Sequence, residues 1–394
     1  MNTSSKALQG IKVLDCTQFL SGPFATMILG DLGAEIIKIE KPGGDDTRTS
    51  PPLVKGESTY FMSVNRGKKS IVLDLKKPEH KQIFLDLAGK VDVLIENGRP
   101  GGMEKMGLGY LDIQKVNPGI IYASISGFGQ NGPYRERGGL DVIIQAMSGF
   151  MSVTGEKGGR PTKAGPSVSD VISGFYAVIG ILAALNHRRE TGKGQYVDIA
   201  MLDSTISVLE NALARYLAAG VVPKPVGNRH TGTAPFQPFE TSDGEVILCV
   251  INNPLFERLC KALGSEELLE DERFKGNAER VANVEALADL ITVYTKKKTT
   301  AEMEQALEKA GIPYGGVNTI PQVIADPQVQ ARNMIVEIEH PIAGPFKMAG
   351  SPFKLSETPV TLNTPSPILG QHTQEILKTY LGKTDAEIEG FLKS

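Results

Sequence analysis

Short apolar runs rich in Val and Ile recur through the first half of the chain. IKVLDC (11–16), AEIIKIE (34–40), SIVLDL (70–75), VDVLIEN (91–97) and IIYASIS (120–126) each have the length and β-branched content of a strand. Between them the spacing changes. In PEHKQIFLDLAGK (78–90) the apolar positions Ile83, Phe84, Leu87 and Ala88 fall on one helical face. Ser21-Gly22-Pro23 reads as a helix start, because Pro is tolerated in the first turn. Alternation of this kind predicts an α/β fold, a parallel sheet covered by helices on both faces.

Two longer helices are expected next, from about Asp170 to Arg189 and from Leu202 to Ala219. The most apolar stretch, Val171 to Leu185, contains Ser173 and Gly174. It is shorter than the roughly 20 residues of a membrane span, so a buried helix is expected. VVPKPVGNRHTGTAPFQP (221–238) then supplies the Pro and Gly of a domain junction. Beyond it a smaller segment has its own strand, EVILCV (245–250), and several helices. The remainder is rich in Pro and Gly up to Gly370 and ends in two short helices.

Composition narrows the function. A net charge of -3 with dispersed basic residues argues against nucleic-acid and membrane-surface partners. Cys16, Cys249 and Cys260 form no CxxC pair and no disulfide framework, which points to an intracellular protein without a structural metal. The start MNTSSKALQG has no apolar or Arg-rich targeting pattern, so a cytoplasmic location is expected.

Histidine is scarce. His80, His187, His230, His340 and His372 are not spaced as metal pairs, and no GxSxG elbow exists. His80 and His187 lie in polar helical stretches and should be solvated, and His340 and His372 lie in Pro/Gly-rich loops. His230, in GNRHTG, is the one candidate for a site role. Gly127 to Gly132 fits GxGxxG, but Pro133 follows and no helix starts, so a Gly-rich loop is expected. Asp170 closes AGPSVSD at the mouth of the apolar helix. It reads either as the helix N-cap or as a nucleophile whose charge the helix end stabilises.

Several segments carry a resemblance. They are VLDCTQFLSGPFATMILGDLGAEIIKIEKPGGDDTR, VDVLIENGRPG, ASISGFGQNGP, GGLDVIIQAMSG, the segment ending in Asp170, TGKGQYVDIAMLDSTISVLE and LGQHTQEILK. Together they resemble the class III CoA-transferases, the family that also holds the 2-methylacyl-CoA racemases. The closest character is that of the oxalate and glutarate-type enzymes. The resemblance implies an interlocked homodimer with a large Rossmann-like CoA-binding domain, here 1–224 and 326–394, and an inserted α+β domain, 225–325. It implies Asp170 as the covalent nucleophile. CoA would meet Leu20, Ser21, Lys41, Leu73, Lys76, Asn97, Gly98, Arg99, Lys105 and Arg137. The oxalate-type members carry a glycine-rich loop that closes over the nucleophile. The loop at that place here, with Gly232, departs from the pattern by holding Arg229 and His230 where small residues are expected. A mobile cover whose Arg229 grips a second carboxylate is expected. No permanent cofactor or metal is implied; the CoA thioester is a substrate, with a small carboxylic acid as its partner.

This chemistry suits the residues. Exchange of a thioester and a carboxylate moves no net proton, which fits the scarcity of histidine. An Asp of ordinary pKa, about 3.9, would be ionised at neutral pH without help. The racemases need a His before Asp141, where this chain has Leu140, which carries no proton. A CoA-binding protein without catalysis is the remaining alternative. Arg48, Arg66, Arg99 and Arg229 are candidate grips for the acceptor's second carboxylate.

Overall fold

The computed structural model describes residues 6–393. They divide into two units. One comprises the residues up to Met151, Lys163–Ala218 and Gln328 onward; the other comprises Ser152–Thr162 and Ala219–Pro327.

In the first unit β1 (Lys12–Cys16), β2 (Glu35–Glu40), β3 (Lys68–Val72), β4 (Val93–Glu96), β5 (Ile121–Ser126) and β6 (Gln195–Ala200) form one sheet. Its order is β3-β2-β1-β4-β5-β6, and every pair is parallel. The chain therefore builds outward from β1 to β3, then returns to place β4 on the other side of β1. That reversal opens a crevice at the carboxyl ends of β1 and β4, the place where open parallel sheets bind ligands.

Neighbouring strand residues point to opposite faces, and both faces are covered. Val13, Ile36, Val93, Ile95, Ile121 and Ala123 pack with α1 (Ser21–Asp31) and α5 (Val168–Thr191). Leu14, Ile37, Leu94 and Ile71 pack on the other face with α3 (Pro78–Ala88) and with the helix Thr373–Leu381. Two further helices, α2 (Thr59–Val64) and α4 (Asp141–Met147), lie among the loops of this unit.

α5 runs for 24 residues, long enough by length and composition to cross a membrane. One stripe of it is in the core, Gly174, Ala177, Val178, Ile181 and Leu185, while Phe175, Tyr176 and Ile179 on the other side are exposed. Gly192 ends it in the left-handed conformation, φ 71°, with its N–H on the Arg188 carbonyl. Where α5 meets α1 there is room only for glycine. A Cβ on Gly174 would stand 2.9 Å from the Ser21 carbonyl oxygen and 3.0 Å from the Phe24 ring.

Several elements differ from the sequence pattern. The third strand lies at Lys68–Val72, two residues before SIVLDL begins. β6 was not anticipated, because QYVDIA is a half-buried edge strand with weak apolar contrast. The expected helix over 202–219 is two, α6 (Met201–Ser207) and α7 (Glu210–Ala219). The Pro/Gly-rich tail contains a hairpin, Ile335–His340 paired with Gly344–Ala349. The second unit has three strands where one was expected: Phe236–Glu240, Glu245–Cys249 and Tyr314–Gly315. His80 is buried, not solvated. Its Nδ1 accepts the Asp74 N–H at 2.9 Å and its ring lies 4.7 Å from Phe391.

Gly174→Ala should push α1 from α5 and cost about 1–3 kcal/mol of stability, the usual penalty of overpacking. Gly390→Ala, with open space around its Cβ in the last helix, should be neutral or stabilising. Chemical denaturation of the two variants checks both; equal effects would mean that the α1–α5 contact is not the tight one.

Candidate active site at the carboxyl edge of the sheet

Beyond β1 the chain makes a turn, Thr17 to Leu20, and enters α1 at Ser21. Asn97, just beyond β4, reaches across the crevice to it. Its Oδ1 accepts the Gln18 N–H at 2.8 Å, and its Nδ2 donates to the Gln18 carbonyl at 2.7 Å and toward the Ser21 hydroxyl at 3.4 Å. Asn97 thus holds the turn through backbone groups. The buried Ser21 hydroxyl favours the ionised form of Asp170.

Asp170 is not the N-cap of its helix. The N-cap is Ser167, whose side chain makes no capping bond, and Asp170 is the third helical residue. The helix end is served from outside, by Asp141 at the start of α4. One Asp141 oxygen accepts the Ser169 N–H at 2.9 Å and the other accepts the Gln145 amide at 2.8 Å. Fully buried Gln145 in turn accepts the Ala164 N–H at 2.9 Å, so α4 clamps the loop leading into α5.

Two negative groups therefore compete for one helix end. Burial, and then the Asp141 charge, push Asp170 up to about 7, while the Ser21 hydroxyl pulls the other way. This overturns the expectation of an ordinary carboxylate: near neutral pH Asp170 is divided between its two protonation states. Tyr60 on α2 faces the same charges. Burial first, then Asp170, Asp45 and Asp141, raise its phenol to about 12, so it stays a hydroxyl donor. A half-buried carboxylate whose anion a neighbouring hydroxyl favours can act as a nucleophile.

The expected basic residues all follow strand ends. Lys41 follows β2, Lys76 follows β3, and Arg99 and Lys105 follow β4; Arg137 follows β5, and all five are exposed. The Lys41 ammonium meets Asp46 at 2.6 Å in solvent. The Arg137 guanidinium lies over the rings of Phe128 and Tyr134, at 5.4 and 4.6 Å from their centroids. Half-buried Leu20 and exposed Gly98 flank the Asn97 bridge. Leu73 is different: its side chain is in the core, so only its backbone can meet a ligand.

Two candidate carboxylate grips are already engaged. Arg48 gives Nε and Nη2 to Glu40, both at 2.7 Å, and Arg66 gives Nε and Nη2 to Asp31, at 3.0 and 2.6 Å. Neither offers a free fork. In the second unit Arg229 donates Nη1 to exposed Glu285 at 2.7 Å, and Lys157 meets the same carboxylate. His230 stacks on Phe236 and its Nδ1 accepts the Gly232 N–H at 3.1 Å. The Gly227 N–H bonds the Gly155 carbonyl, and the Gly232 carbonyl accepts from Asn277. The loop expected to be mobile is thus tied down at both ends within its unit.

Gly127 does not begin a phosphate loop. Its hypothetical Cβ would lie 2.6 Å from the Gly139 Cα, and the next helix starts only at Asp141. Leu140 is 67% exposed and offers no proton. Sequence reasoning missed Asp141 and Gln145 as holders of the nucleophile's helix, and Tyr60. An Asp and a Gln four apart in LDVIIQ hint at a polar helix face; Tyr60 left no signal.

The CoA-transferase family III model matches residues 8–373. The chain is 41% identical, over 99% of its length and 89% of the relative's, to succinyl-CoA:glutarate CoA-transferase of Homo sapiens. It is 44% identical to acetyl-CoA:oxalate CoA-transferase of Acetobacter aceti, with 88% of each chain covered. Among solved structures, a CAIB/BAIF family protein from Brucella suis superposes with a TM-score of 0.86 at 40% identity, covering 95% of this chain and all of that one.

Titration of the labelled Asp170 carboxyl by carbon-13 NMR should show a midpoint near 7. Asp141→Asn should lower it by removing a like charge, and Ser21→Ala should raise it by removing a donor to the anion. A wild-type midpoint near 4 would show that the site is better solvated than its geometry implies.

Proposed function

The chain belongs to CoA-transferase family III and is an enzyme, and we propose that it transfers CoA from succinyl-CoA to a small dicarboxylate through a covalent adduct on Asp170. The observation that carries the covalent reading is the place of Asp170 in the first turn of α5, which packs against the first turn of α1 at Ser21, at the crevice between β1 and β4. The donor and acceptor follow from the relatives named for succinyl-CoA with glutarate and acetyl-CoA with oxalate.

The steps balance without a general base. An Asp170 oxygen attacks the acyl carbon of the donor, the C–S bond breaks, and a mixed anhydride and CoA thiolate form. The thiolate attacks the Asp170 carbonyl carbon and releases the donor acid as its carboxylate, leaving an aspartyl-CoA thioester. The acceptor carboxylate attacks that thioester and expels the thiolate. The thiolate then takes the new acyl group and returns Asp170 as its anion. Tyr60 and Ser21 hold the negative oxygens, and the closed site keeps water from the anhydride. Lys41, Lys76, Arg99, Lys105 and Arg137 form the rim that receives the phosphates of CoA, with Leu20, Gly98, Asn97 and the Leu73 backbone along its length. Binding of this remote part supports positioning at the thioester.

Since the nucleophile is the anion, kcat/KM should fall as pH drops through about 7. The working form is a homodimer in the cytoplasm. Phe175, Tyr176 and Ile179 on the nucleophile helix, with Tyr216 and Leu217 on α7, leave large apolar side chains exposed on the single chain, as expected of a surface awaiting a partner.

Asp170→Ala should abolish exchange of labelled CoA between succinyl-CoA and glutarate while the fold persists. Hydroxylamine trapping and mass spectrometry should place the wild-type adduct on Asp170. A folded Asp170→Ala that keeps more than a few per cent of exchange would end the covalent assignment.

Arg229, paired with Glu285, is the proposed grip for the second carboxylate. Arg229→Ala should raise KM for a dicarboxylate about tenfold, or about 1.4 kcal/mol, and change that for a monocarboxylate far less. Equal effects on both would remove Arg229 from this role.

A further inference from the structure

We infer that Lys38 is a positioning residue of this site: its buried ammonium, paired with Asp45, holds the Thr17–Leu20 turn in the bend that delivers Ser21 to the crevice where Asp170 lies. The inference rests on Asp170 being the nucleophile.

Lys38 lies on β2 with no exposed surface. Its Nζ donates to the Thr17 carbonyl at 2.8 Å and sits 3.0 Å from Asp45. Fully buried Asp15, at the end of β1, takes the other side of the same residue: Oδ1 accepts the Thr17 N–H at 2.9 Å and its hydroxyl at 2.5 Å. The second Asp15 oxygen accepts from the Thr26 hydroxyl and from Lys68, whose Nζ also donates to the Pro23 carbonyl in the first turn of α1. Gln18 is held by Asn97, and the Phe19 N–H points at Asp45, 3.5 Å away.

All this surrounds one unusual residue. Phe19 is half exposed and has φ 64°, a left-handed backbone that a side chain bearing a Cβ rarely adopts. Such a conformation persists only where its surroundings over-determine it. The turn cannot relax toward α1 either, because Gly22 lies so close to Thr17 that a Cβ there would stand 2.3 Å from it. Buried ion pairs are often replaceable by apolar side chains without loss of stability. The buried pairs Lys38–Asp45 and Lys68–Asp15 therefore need another reason to stand beside the sheet, and the turn that presents Ser21 supplies one. Besides Ser21, the groups facing Asp170 are Asp141 from α4 and Tyr60 from α2, neither of which touches Lys38.

The test compares Lys38→Met, Ser21→Ala and their combination in the full-length enzyme. It reads succinyl-CoA exchange against pH, KM for succinyl-CoA and melting temperature. Lys38→Met should lower kcat about tenfold or more with KM changed less than about threefold, and should move the acid limb upward as Ser21→Ala does. In the Ser21→Ala background it should move the limb no further, since the two act through one hydroxyl. A lower melting temperature with kcat and the acid limb unmoved would overturn the inference, as would limb shifts that add, which mark a direct charge effect. Should Lys38→Met not fold, Asp45→Asn is judged by the same readings. Asp170→Ala separates the two levels. If it keeps exchange, the nucleophile assignment fails; if it is inactive while Lys38→Met behaves as wild type, only the positioning role fails.

Discussion

The contact between α1 and α5 is the constraint on which the site depends. Gly174 lets the two helix backbones touch, and Asp170 lies one turn before it on the same face. The first turns of both helices therefore meet at the crevice between β1 and β4, and the Ser21 hydroxyl favours the Asp170 anion. A larger residue at position 174 would separate a hydroxyl and a carboxylate that neither helix positions alone.

That meeting also decides the ionisation of the nucleophile. A helix N-terminus favours a nearby anion by only about 0.3–1 kcal/mol at exposed sites. Here Asp141 already bonds the helix end through the Ser169 N–H. Asp170 receives burial and a like charge with one hydroxyl as relief, and burial wins. A carboxylate poorly solvated in its resting state is a stronger nucleophile than one fully hydrated, which suits a reaction that attacks a thioester without a base.

Charge on the first unit falls into two populations. Lys38, Lys68, Arg48 and Arg66 are each paired with a carboxylate, and Lys38 and Lys68 also hold backbone carbonyls of Thr17 and Pro23 at the entry to α1. Lys76, Arg99, Lys105 and Arg137 stand exposed after the strand ends, available to a polyanionic ligand. Composition cannot separate the two groups, because an arginine reads the same whether its fork is engaged or free.

The strand pattern from Ile11 to Ser126 and the apolar run of α5 were legible in the sequence, since alternating strand faces and a helical stripe are local periodicities. The position of Asp170 at the mouth of its helix was legible for the same reason. Motifs spread over the whole chain also carried the family, because a family is written in the order of its segments. The tertiary structure alone decided the rest. Asp141 serves the end of a helix that begins more than twenty residues later, Gln145 holds the loop leading into it, and Asn97 bridges to a turn seventy-nine residues away. Arg48 and Arg66 proved engaged, and Asp170 proved hard to ionise. Each of these depends on which distant groups folding brings within hydrogen-bonding or Coulombic reach, and on how much water it removes. Neither quantity is a property of any short window of sequence.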